Sequence, residues 1–142
     1  MFKSIACAAL FAAVALAQNA AITYPTNDIT VSPGQNITVQ VTRANSLTGS
    51  EEVAVVIGFQ SCPDYACASP ADIMGLILYN GGFDPEYREP SSPQVQPFQN
   101  FTVQIPTSAR SGTAQIGVTH VSLVGAGPFP FMETMNQTIT VA

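Results

Sequence analysis

A chain of 142 residues with nine acidic and four basic side chains, formal net charge −5, offers no basic patch for nucleic acid or an anionic membrane. Its length suits one domain with a real core, and the absence of Trp argues against an aromatic sugar-stacking platform. Lys3, the apolar run Ile5 to Leu16 and the small-x-small Ala15-Leu16-Ala17 read as a secretory signal peptide over residues 1–17. That run is shorter than the ~20 residues of a membrane span, and no second apolar run or lipid-anchor tail follows, so no membrane anchor is expected. The expected product is a secreted, extracellular monomer, one domain over residues 18–142.

Two short edge-like strands, Ala21 to Tyr24 and Asp28 to Val31, come first, and Ser32-Pro33-Gly34-Gln35 makes a turn. Asn36 to Thr42 alternates cleanly, with Ile37, Val39 and Val41 on one side. Arg43 to Glu52 reads as a polar loop. Val53 to Phe59 and Ile73 to Tyr79 are apolar on both faces. The second faces (Ala54 and Val56; Met74, Leu76 and Leu78) need a cover, and the Pro-rich connection Gly81 to Pro97 is expected to strap across them with Tyr87 and Val95. That connection, with Pro85, Pro90, Pro93 and Pro97, is longer than most in compact domains.

Phe101, Val103 and Ile105 mark another alternating strand. From Gly112 the chain enters its longest one, where Ala114, Ile116 and Val118 alternate and both faces turn apolar beyond Val121, as in the middle of a sheet. Gly125-Ala126-Gly127-Pro128 then breaks the ladder and is expected to deliver Phe129 and Phe131 into a proline-stiffened loop. Met132 to Val141 closes the fold. Seven or eight short strands with turn signals and no amphipathic helix indicate an all-β, antiparallel sandwich of immunoglobulin-like or fibronectin-like architecture, without the Cys…Trp…Cys hallmark; a small closed barrel is the alternative.

Three N-glycosylation sequons, at Asn36, Asn100 and Asn136, compare with about one expected by chance. In each the Asn and the hydroxyl residue share the polar face of a strand, where a glycan would cover the sheet. Cys62 and Cys67 read as a local disulfide, because a metal would need two more ligands and only His120 is on offer. His120, the one histidine, could pair with Asp72 or Asp84 in a nucleophile site, but no Gly-x-Ser-x-Gly elbow is present. The expectation is a strand histidine satisfied by a backbone carbonyl or water. Glu51-Glu52 and Glu86/Glu89 read as solvated loop charge. No catalytic residue, metal or cofactor is expected. Phe129 and Phe131, with Pro128 and Pro130, are the candidate partner contacts, since stiffened aromatics lose little entropy on binding; the competing expectation is that they fold back to plug the end of the sandwich.

The blocks Ser32–Val41, Ser46–Gly58, Ile77–Gly82, Asn100–Pro106 and Gly112–Phe131 resemble the necrosis-inducing secreted protein family of fungal effectors, most specifically Ser122-Leu-Val-Gly-Ala-Gly-Pro-Phe-Pro130. The resemblance implies a non-enzymatic protein that dampens pattern-triggered immunity in plants by engaging receptor-associated kinases, and that can provoke cell death. A cell-wall or carbohydrate-associated module is the alternative reading.

Overall fold

The computed structural model describes residues 18–89 and 95–142. The signal peptide expected at residues 1–17, and Pro90 and Pro93 of the long connection, lie outside the described residues. Eight strands and no helix form among the described residues: β1 (Ala20–Tyr24), β2 (Thr30–Val31), β3 (Asn36–Arg43), β4 (Ser50–Ser61), β5 (Leu76–Gly81), β6 (Phe98–Gln104), β7 (Gly112–Val124) and β8 (Phe129–Val141). They make a three-stranded sheet, β1-β3-β6, and a five-stranded sheet, β2-β8-β7-β4-β5. The all-β sandwich expected from periodicity is what forms. Its one parallel pairing sets Thr30 and Val31 beside Thr140 and Val141.

Alternation explains the layers. Ile37, Val39 and Val41 of β3 lie opposite Val103, Phe101 and Gln99 of β6, and their apolar side chains are buried. They face Val55, Ile57 and Phe59 of β4, Ile116 and Val118 of β7, and Ile139 of β8, all in one core. β7 is central, with β8 on one side and β4 on the other. Burying Ile57, Ile116 or Ile139 is worth ~1.5–3 kcal/mol each. A slip of one residue would turn all of them outward, so the β4–β7–β8 register is held far more firmly than that of two-residue β2.

Three of the boundaries that differ from expectation bear on the site. β4 starts at Ser50, so Glu51 and Glu52 belong to a strand rather than a loop. β5 starts at Leu76, leaving Ile73 and Met74 in the preceding segment. β8 starts at Phe129, so Phe129 and Phe131 sit in a strand instead of a loop, opposite Val124 and Ser122. The prolines suggested a break, yet at that height β8 has β7 on one side only, and an edge tolerates a residue without an N–H. The turn is confined to 125–128, with Gly125 at φ +81°.

Residues 62–75 cover the part of the five-stranded sheet's outer face around Gly58 and Gly117, and neither Tyr87 nor Val95, expected to strap that face, is among the side chains that fill it. Gly58 and Gly117 stand side by side in the β4–β7 register and leave a trough without side chains. Pro70 and Met74 fill it: a Cβ on Gly58 would lie 2.1 Å from the Met74 carbonyl oxygen, and one on Gly117 3.0 Å from Pro70 Cγ. Gln115 Nε2 donates to the Ala68 carbonyl at 2.9 Å, and Gln60 Nε2 to the Ile73 carbonyl at 2.6 Å. The Cys62–Cys67 disulfide, Cα–Cα 5.3 Å, ties the start of this strap. The described residues of the Gly81–Pro97 connection join β5 of one sheet to β6 of the other at its two ends and plant Phe83 in the core, against Phe101 and His120. Tyr87 stays half-exposed, its hydroxyl donating to Asn45 Oδ1 at 2.9 Å, and the Val95 carbonyl accepts from Asn45 Nδ2.

Candidate functional site: the buried charge cluster and the β7–β8 hairpin

His120 lies on the inward face of β7 with Ile116 and Val118, so the register that buries those residues also buries it, to 0% exposure. Directly across β8 stands Glu133, whose Oε1 is 2.9 Å from His120 Nδ1. The other ring nitrogen, Nε2, meets Glu52 Oε2 of β4. Glu52 Oε1 accepts from Arg43 Nε of β3 at 2.7 Å and from the Ser50 hydroxyl at 2.6 Å. Glu133 Oε2 accepts from the Asn19 backbone N–H at 3.0 Å. Arg43 completes its fork on the Ala44 carbonyl and the Ser50 hydroxyl. Both Glu side chains are about nine-tenths enclosed, at 10% exposure, and Arg43 is at 13%. Two carboxyl groups thus face two basic groups, and the cluster bridges the two sheets.

This corrects two expectations. His120 is satisfied by two carboxylates, not by a backbone carbonyl or water, and neither Asp72 nor Asp84 is its partner. Glu52 is a paired, mostly buried acid rather than solvated charge. The carboxylates sit on opposite nitrogens of one ring, so the three side chains do not converge on a common point. Among the described residues no group of His, Cys, Asp and Glu has the arrangement to hold a metal ion.

Burial alone would push the Glu52 carboxyl up; hydrogen bonds from His120, Ser50 and Arg43, and the charge of His120, outweigh it and bring its pKa from 4.5 to about 2. Burial alone would likewise pull His120 down, but hydrogen bonds to Glu52 and Glu133, and their charges, raise it above 6.5. The depressed acid contributes stability that is complete above 4.5 and lost as pH falls through about 2. The raised histidine contributes stability that is complete below 6.5 and lost as pH rises through its folded value. The two overlap fully between pH 4.5 and 6.5. Urea unfolding at pH 5.5 is therefore expected to show a higher midpoint than at pH 9, and His120→Asn is expected to shrink that difference. Equal midpoints for the wild-type chain would contradict the pairing.

Above the cluster the β7–β8 hairpin ends in solvent. Phe129 is 64% exposed and Pro128 and Pro130 are exposed, whereas Phe131 is half-buried beside Ser122. Neither Phe plugs the core. The alternation of β8 puts Phe129 and Phe131 on one side of the hairpin and Pro130 and Met132 on the other. The four candidate contact residues therefore share a strand end but not a face. Asn36, Asn100 and Asn136 are all exposed. Asn100 accepts from Gln40 Nε2, and Asn136 donates to Gln115 Oε1.

Residues 15–140 match the model of the family described as the Nis1 family. Among curated proteins nothing matches.

Proposed function

This chain belongs to the Nis1 family, and from that premise we propose that it is a secreted, non-enzymatic glycoprotein effector that binds a host protein of the receptor-associated kinase type. Family membership makes the protein effector-like, and the disulfide is compatible with an extracellular life. The observation that carries the contact reading is Phe129: a large aromatic held out in solvent on a paired strand end, where binding would immobilise little that is not already fixed. The one histidine supports the non-catalytic reading, because both of its nitrogens are occupied inside the core and its proton has nowhere to go but to Glu52 or Glu133.

Titration against a purified receptor-associated kinase domain and ectodomain tests this. Phe129→Ala is expected to weaken binding about 10-fold or more while leaving the thermal midpoint unchanged, because an exposed ring contributes little to folding. Unaltered binding by that variant would remove Phe129 from the contact. For export with glycosylation, treatment of the secreted protein with an N-glycosidase is expected to lower its mass, by a step that shrinks on each of Asn36→Gln, Asn100→Gln and Asn136→Gln. A secreted product at bare polypeptide mass would contradict it.

A further inference from the structure

The outer face of the same hairpin, opposite Phe129, carries two hollows in line. The upper one, about 390 Å³, is lined by Gly49, Glu51, Leu123, Ala126 and Pro128. The lower, about 430 Å³, lies between the strap and the sheet, against Pro70, Asp72, Met74, Thr119, Met132 and Thr134. Between them runs a cross-strand row of apolar residues, Ala54–Val121–Met132, with Met132 68% exposed. Leu123 and Thr119, the β7 residues of the two hollows, are four apart on one face, or ~13 Å along a strand. An extended peptide repeats the same side at the same spacing.

Charge picks the occupant. The upper hollow has the exposed carboxylate of Glu51 on its lining and the lower that of Asp72, and no basic side chain lines either. The three Arg of the described residues are engaged elsewhere: Arg43 with Glu52, Arg110 with Asp64, and Arg88 over the Phe98 ring. We infer that this face is a docking track for an extended segment of a partner protein bearing two apolar side chains four residues apart, flanked by Lys or Arg. The inference rests on the reading of this chain as a protein that works by contact, and adds a second face and the chemistry of the segment that fits it. The apolar side chains enter the hollows, Met132 packs between them, and the flanking cations meet Glu51 and Asp72.

The test is fluorescence anisotropy with a labelled synthetic peptide, Arg-Phe-Ser-Thr-Ser-Phe-Arg, and its twin with Glu in place of Arg. The protein carries Asn136→Gln, so that no glycan borders the lower hollow. The basic peptide is expected to bind at least about tenfold more tightly than the acidic one. Met132→Asp is expected to weaken it about tenfold, and Asp72→Lys to narrow or reverse the preference between the two peptides. Both positions are exposed, and a thermal melt checks that each variant is folded. Phe129→Ala, on the other face, is expected to leave peptide binding unchanged. No saturable binding at millimolar peptide, equal affinity for the two peptides, or indifference to both Met132→Asp and Asp72→Lys overturns the track. None of those results touches the kinase titration with Phe129→Ala, so the two readings fail separately.

Discussion

Glu52→Ala is expected to lower the unfolding free energy by about 3–5 kcal/mol, as when one partner of a buried charge pair is removed. The side chain is the hub of the cluster: it takes hydrogen bonds from Arg43, Ser50 and His120, which come from β3, β4 and β7. Truncation leaves the Arg43 guanidinium and one His120 nitrogen enclosed with no carboxylate to meet them. The surviving carboxylate, Glu133, reaches only the other nitrogen. For a domain of this size the loss corresponds to a fall in thermal midpoint of roughly 10–20 °C. Its neighbour supplies the control, since Glu51→Ala, an exposed site one residue away, is expected to stay within about 0.5 kcal/mol. A loss below about 1 kcal/mol for Glu52→Ala would mean that the cluster is not held together in solution.

Gly58→Ala tests the strap. One added methyl would sit 2.1 Å from the Met74 carbonyl oxygen, and backbone cannot swing aside as a flexible side chain can. Either β4 bends or the strap lifts. Overpacking of this kind is worth about 1–3 kcal/mol, and a lifted strap also uncovers the trough at Gly117 that Pro70 fills. The expected result is a loss of about 2 kcal/mol or more, with new protease cleavage within 62–75. Gly49→Ala, which meets nothing within 4 Å, is the matched control and is expected to be near neutral. A Gly58→Ala protein as stable and as protease-resistant as the wild type would show that the strap does not lie on that trough.

Much of the fold was legible from local alternation. β3 and β7 show it because one face of each is buried against the opposite sheet, and period-2 burial is a local property. The strap was not legible, because its cause is a pair of glycines distant in sequence. Gly58 and Gly117 each look like a weak point in an apolar strand, and only the β4–β7 register shows that they adjoin. Proline misled twice: the run from Gly81 to Pro97 suggested a cover where its described residues instead plant Phe83 in the core, and Pro130 suggested that the loop beginning at Gly125 runs on to Phe131, where a strand already continues from Phe129. The buried cluster had a partial signal. Glu133 shares the alternation of Met135 and Ile139, an acid at an inward position, and His120 shares that of Ile116 and Val118. Arg43 and Glu52 could not be added to them, because their meeting depends on how two sheets stack.

These features divide the molecule into a part that holds and a part that touches. The His120 cluster, the disulfide and the strap fix the β4–β7–β8 block, and the block presents the hairpin end with Phe129 on one side and Met132 on the other. The proposal that the protein acts by contact meets its most direct test in living leaf tissue. There the oxidative burst raised by a microbial elicitor is measured with the wild-type protein, Phe129→Ala and His120→Asn, each shown to be secreted and folded. Suppression by the wild type and by His120→Asn, with its loss in Phe129→Ala, is the predicted result; suppression that survives Phe129→Ala but vanishes with His120→Asn would contradict it.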